Sequence, residues 1–283
     1  MKKILVGLFA VFATYSSQAQ ETEAVSTEIV SPWTRAGNFT FLLNQSSFSN
    51  WQAGGDNNIS GNVKVNYDFN YKRGDWNWDN KLIVSYGLTK LQGQDQKKTD
   101  DRLEFNSLLG KKAEGNWFYS AFLNFKTQMD RGVDKYGEYN SHFMSPAYLQ
   151  IGPGMLWKKN DNLKVNIAPA TSRFIFVHNH FTEFGEAFGV EQGKSIKYQL
   201  GMSVNGYYKF NVMENVSVEN ILNLYSNYLS KPENVVIDYQ LNVVMKINKY
   251  LTTNFTFQTI YDDLAFQGFQ IREMVGLGIN YSF

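Results

Sequence analysis

The chain has no cysteine and only 3 histidines among its 283 residues. Without cysteine no disulfide can form, so an exported chain of this kind must be held by its hydrogen-bond network and packing. Beyond the first residues there is no run of 18 apolar side chains, which excludes a membrane-spanning helix. No excess of one charge is present either. If Lys2 and Lys3 are removed with a leader, 25 basic residues face 26 acidic ones. That balance argues against a nucleic-acid partner. The chain contains no phosphate-binding loop, no G-x-S-x-G elbow and no cofactor motif.

Aromatic residues, by contrast, are abundant: 22 Phe, 17 Tyr and 6 Trp, or 16% of the chain. Mean hydropathy is nevertheless negative, at −0.36. Many aromatics with weak average hydropathy is what a membrane β-barrel shows, because lipid-facing and lumen-facing residues alternate and cancel in any window. The first residues read as a secretory signal peptide, 1–19. Lys2 and Lys3 precede the apolar stretch Ile4–Ala13, and Ser17 and Ala19 precede a cut before Gln20. Residues 20–36 alternate poorly and contain Pro32, so they read as an exposed periplasmic lead-in. The barrel is expected over 37–283.

Period-2 alternation recurs through that region. In "NVKVNYDFNYK", Val63, Val65, Tyr67, Phe69 and Tyr71 share one face and Asn62, Lys64, Asn66, Asp68 and Asn70 the other. Twelve such segments predict an all-β fold, a twelve-stranded antiparallel transmembrane β-barrel; an even number is what single-chain bacterial barrels have. Their connections alternate in length. "RGD", "AEG", "KND", "VMEN" and "NKY" are tight, whereas "RGVDKYGEYNSHFMS" and "HNHFTEFGEAFGVEQGKS" are long. Tight periplasmic turns and long extracellular loops sort in this way. A soluble two-sheet sandwich also wets one face of each strand, but has no reason to sort its loops.

Near the tight turns lie Trp76, Trp78, Trp117 and Trp157, and the last residue is Phe283. Such rings suit the headgroup boundary, so these five are expected at the membrane interface. By analogy with other barrels, a terminal aromatic is also a signal to the barrel-insertion machinery. The opposite parity points inward. It carries Lys64, Asp68, Asp79, Lys81, Arg102, Glu104, Lys126, Lys164, Lys197, Lys209, Glu219, Asp238, Lys246 and Arg272, with many Asn and Gln. Twelve strands spaced ~4.8 Å and tilted ~40° make a cylinder about 24 Å across, which long side chains narrow to roughly the size of a sugar or amino acid. Three functions follow. One is a narrow channel with mild anion preference. Another is an accessory barrel with a filled lumen, its charges paired, binding another envelope protein. The third is a lipid-modifying enzyme. Outer-membrane lipid is the expected surrounding in each.

Little of the sequence carries reaction chemistry. His178, His180, Glu183 and Glu186 fall close together in one long loop, and two imidazoles with two carboxylates are zinc ligands by type. Their spacing fits no tight metal pattern, and the segment reads equally as a short amphipathic helix across the barrel mouth. The acid pairs Asp100–Asp101 and Asp262–Asp263 sit at rims, where they would hold calcium weakly or simply be solvated. A hydrolase would need a Ser–His pair built from loops, since all three histidines fall in loops or at a strand edge.

The stretches "FSNWQAGGDNN", "YKRGDWNWDNKL", "KTDDRLEFNS", "WFYSAFLNFKTQ", "SPAYLQIGPGM", "SNYLSKPENV", "MKINKYL" and "IYDD" together resemble an uncharacterised family of exported Bacteroidota proteins, a domain of unknown function. The resemblance implies the outer membrane of a Gram-negative cell. It implies no activity and no site residues.

Overall fold

The computed structural model describes residues 31–47, 57–133 and 137–283. The signal segment, most of the lead-in, and residues 48–56 and 134–136 lie outside the described residues. Strands run β1 (Trp33–Ser46), β2 (Asn58–Arg73), β3 (Trp76–Leu91), β4 (Lys97–Lys112) and β5 (Trp117–Thr127). A small two-stranded sheet follows, β6 (Gly132–Val133) with β7 (Tyr139–Ser141). Then come β8 (Ala147–Asn160), β9 (Leu163–Phe176), the four-residue helix α1 (Asn179–Thr182), β10 (Ile196–Met213), β11 (Val216–Asn227), β12 (Val236–Lys246), β13 (Leu251–Asp262) and β14 (Phe266–Ser282). The large sheet is a closed antiparallel barrel of twelve strands, β6 and β7 excluded, and β14 returns to pair with β1.

Each large strand pairs with its neighbour in sequence, as short turns between antiparallel strands dictate. β1 begins at Trp33, four residues before the boundary that the weak alternation of the lead-in suggested. Trp33 pairs with Tyr71 and its ring lies 5.1 Å from that of Tyr71, so backbone pairing extends where the side-chain pattern fades.

The outer face is apolar and uncovered. Val275, Leu277, Ile279 and Tyr281 alternate along β14, each about half exposed or more. Ile151, Tyr198 and Tyr119 continue the belt on other strands. An apolar surface of this extent marks contact with lipid or protein. The inner face is polar and buried: Asn80, Glu104, Asn166, Arg173, Gln199, Asn242 and Gln258 are all nearly inaccessible. The barrel is therefore inverted relative to a soluble protein, with its polar groups inside.

Candidate functional site

Charge, cavity and enclosure coincide in the lumen. All the expected inward charges except Lys197 line one of two lobes. Lobe one, about 670 Å³, runs from Asp161 at a tight turn to Phe188 and Ala265 among the long loops. Lobe two, about 910 Å³, opens beside Glu214, Lys249 and Phe283 at the tight-turn end and reaches Asp100 and Arg272. Lys197 lies on the same strand face as Gln199, nearer the long loops, and makes no ion pair among the described residues.

Side chains that cross the lumen separate the lobes. Arg102 donates to Gln240 at 2.9 Å and to Glu104, its neighbour on β4. Lys81 on β3 faces Glu219 on β11 at 3.7 Å. Lys126 on β5 meets Asp238 on β12 at 3.1 Å. Arg272 on β14 meets Asp100 on β4 at 2.6 Å, and Asp79 takes both Lys158 at 3.2 Å and Lys164 at 2.8 Å. Amides link these pairs into a lattice. Gln240 donates to Asn242, Asn242 to Glu219, and Gln258 to Asp238 while accepting from Arg272. The charges expected to attract anions mostly face carboxylates instead. A buried charge is tolerated when it is paired and hydrogen-bonded in this way.

These crossings also set the shape of the cross-section. β4 and β12 are six places apart around the ring, as are β3 and β11. An extended Arg or Lys reaches ~7 Å from its Cα and Gln or Glu ~5 Å, so the facing walls stand no more than about 15 Å apart. A circular barrel would be about 24 Å across. The bridged walls are therefore drawn closer together than in a circular ring, and Arg173 draws in β9 and β13, four places apart, in the same way at the long-loop end. The seams midway between the bridged walls are β14/β1 and β8/β9. The β14–β1 ladder is short, running from Asn38↔Ser282 to Leu43↔Leu277 with the Gly37–Phe283 backbone pair beyond it, and β8 slips against β9 between Ile151 and Met155. Both seams have glycines on the lumen side. A Cβ on Gly278 would collide with the Phe41 carbonyl oxygen, and one on Gly154 would lie 2.5 Å from that of Ile167.

The long-loop end is lidded by the segment between β9 and β10. Val190 is fully buried against Ile175 and Val177, with Phe181, Phe188 and Leu264 packed around them. His178 caps α1, its Nδ1 accepting the His180 N–H at 3.2 Å, and the His142 ring stands edge-on to it at 5.2 Å. The loop is therefore packed by its apolar residues and capped by a histidine. Among the described residues no three His, Asp or Glu side chains, including His178, His180, Glu183 and Glu186, converge as a metal shell would. Nor does a serine hydroxyl bond a histidine ring there: Ser145 Oγ accepts the backbone N–H of His178.

Three acids expected at solvated rims are structural instead. Asp100 holds Arg272, and Asp262 holds Arg173 at 2.7 Å. Asp101 accepts the backbone N–H groups of Met129 and Asp130 at 2.7 and 2.9 Å, and so folds the loop that follows β5. Arg173 escapes a reading by parity because β9 contains one extra residue near Ala170. The register passes from Gly201↔Thr171 to Ser203↔Ala168, which turns odd-numbered residues inward beyond it. On the outside, Trp76, Trp78, Trp117 and Trp157 ring the tight-turn edge; Trp33 lies 5.8 Å from Trp78, and Phe283 stacks on Tyr67 and Tyr281.

Residues 43–133 match a family described as a protein of unknown function, DUF3078. No curated protein matches the chain in sequence. Among solved structures it is similar to an outer-membrane channel from Pseudomonas putida F1, 9% identical over 93% of this chain and 100% of that one, with a TM-score of 0.41. It is also similar to the outer-membrane channel DcaP of Acinetobacter baumannii, 10% identical over 89% and 95% of the two chains, TM-score 0.33. The β domain of the Bordetella autotransporter BrkA is 10% identical over 89% and 100%, TM-score 0.33. At this level of identity and overlap, nothing of their activity transfers to this chain.

Proposed function

We propose that the chain spans the outer membrane of a Gram-negative cell, with lipid against its apolar outer face, and that lobe one is a narrow passage for small solutes. The observation that carries this reading is the course of lobe one, which reaches from a tight turn at Asp161 to the underside of the lid at Phe188. The lid closes the passage at rest, and the crossing pairs confine it to one side of the lumen. Reconstitution in planar bilayers tests it. The wild type is expected to conduct weakly, and Phe188→Ala to raise the open fraction. Silence from both proteins at all voltages would overturn the proposal.

A second reading, an accessory barrel with a filled lumen, is favoured by the pairing of most of the inward charges. It expects silent bilayers together with one envelope protein that co-purifies reproducibly.

A further inference from the structure

We propose that the long-loop end of lobe one is a binding site for a small uncharged solute with an apolar body and one acceptor oxygen, a hydroxyl or carbonyl. Arg173 is its centre. The side chain is 5% exposed and crosses from β9 to Asp262 on β13 at 2.7 Å. Its guanidinium lies 5.2 Å from the ring of Tyr148 and 5.3 Å from that of Tyr225. Such cation–ring contacts help to hold a guanidinium in place. Two polar groups of this cluster have no hydrogen-bond partner among the described residues: the Arg173 Nε–H and the hydroxyl of Tyr225, itself 3% exposed. Both residues line lobe one beneath the lid.

Unpaired buried donors are costly and rare. An acceptor oxygen entering here satisfies them. Charge decides the rest of the ligand. Asp262 already neutralises Arg173, so an anion would meet that carboxylate and a cation would meet the guanidinium. Ile260, Val236 and Phe188 supply apolar wall for the body of the solute.

The inference rests on lobe one being the solute path, and the test separates the two ideas. Full-length barrel in nanodiscs is titrated calorimetrically with benzyl alcohol, benzoate and toluene, against empty nanodiscs. Benzyl alcohol is expected to bind saturably and more tightly than the other two. Tyr225→Phe keeps the ring on Arg173 and removes the hydroxyl. It should weaken benzyl alcohol roughly fivefold, the loss of one hydrogen bond, and leave toluene unchanged. Should Tyr225→Phe fail to fold, the wild-type order of affinities decides, benzyl alcohol above benzoate and toluene. No saturable binding, tighter benzoate binding, or equal losses for toluene and benzyl alcohol would each overturn the site. Binding in a barrel that never conducts would uphold the site and refute the passage. Conduction without binding would do the reverse.

Discussion

Arg102 and Gln240, on strands diametrically opposite in a ring of twelve, are joined by a 2.9 Å hydrogen bond, so two walls of the barrel are held together across its interior. The same guanidinium also holds Glu104, which is 7% exposed. Replacing it by an apolar side chain leaves that carboxylate buried without its cation. Arg102→Met should therefore cost about 3–5 kcal/mol, read as the urea midpoint in detergent. Adding Glu104→Gln should recover a substantial part, because the stranded charge is gone. A single variant as stable as the wild type would show that the lattice does not brace the barrel.

The β14–β1 and β8–β9 seams depend on glycine. Gly278→Ala and Gly154→Ala each press a methyl group onto a backbone carbonyl oxygen of the adjoining strand. Backbone cannot swing aside as a side chain does, so each should cost about 1–3 kcal/mol. Gly206 is the control: a Cβ there finds Leu222 at an ordinary 3.8 Å. Gly206→Ala should stay within roughly 0.5 kcal/mol of the wild type. Equal effects at all three positions would mean that the close approach of backbone at Gly278 and Gly154 is not what these seams require.

How much of this was legible in the sequence follows from where alternation holds. Along β2 and β12 each inward residue could be assigned by parity, and Lys64, Asp68, Asp238 and Lys246 line the lumen as that parity expects. In β9 the extra residue reverses the parity, and Arg173 is hidden for that reason. The pairing of Lys126 with Asp238, or of Lys81 with Glu219, depends on which walls face each other. The closed ring decides that, and no one strand shows it. The lid is a third case. Its His and Glu residues suggested a ligand shell, while Val190 and Phe188, unremarkable by type, pack it down.

Acid should loosen the loop after β5 before it touches the barrel. Asp130 accepts the Tyr86 hydroxyl at 2.8 Å and the Arg131 N–H at 2.7 Å, and these bonds hold its carboxyl below the ordinary aspartate range. A carboxyl depressed in the folded state stabilises above its unfolded value and loses that contribution as pH falls through the folded one. Proteolysis within 131–140 should therefore be unchanged from pH 7 down to the ordinary aspartate range and rise only below it. The group is largely exposed, so the effect is small. Tyr86→Phe should move the onset to higher pH. Cleavage already increasing near neutral pH, or an onset that Tyr86→Phe leaves in place, would count against this clamp.

Phe283 acts at the β14–β1 seam through two separable parts. Its backbone exchanges hydrogen bonds with Gly37, N–H to Gly37 oxygen at 2.9 Å and oxygen from Gly37 N–H at 2.6 Å. Its ring lies over Gly37 and stacks on Tyr67 at 6.4 Å between ring centres. Phe283→Ala removes only the ring, at a cost of about 0.5–1.5 kcal/mol for the stacking. Deleting the residue also removes two ladder bonds, each worth about 0.5–1.5 kcal/mol. β14 has few pairs with β1 to begin with, so the deletion should open this seam first. Hydrogen exchange at Asn38–Leu43 should then rise well above that of β2 and β3, while the alanine variant keeps it protected. If deletion and substitution exchanged alike, the backbone pair would not be what closes the ring.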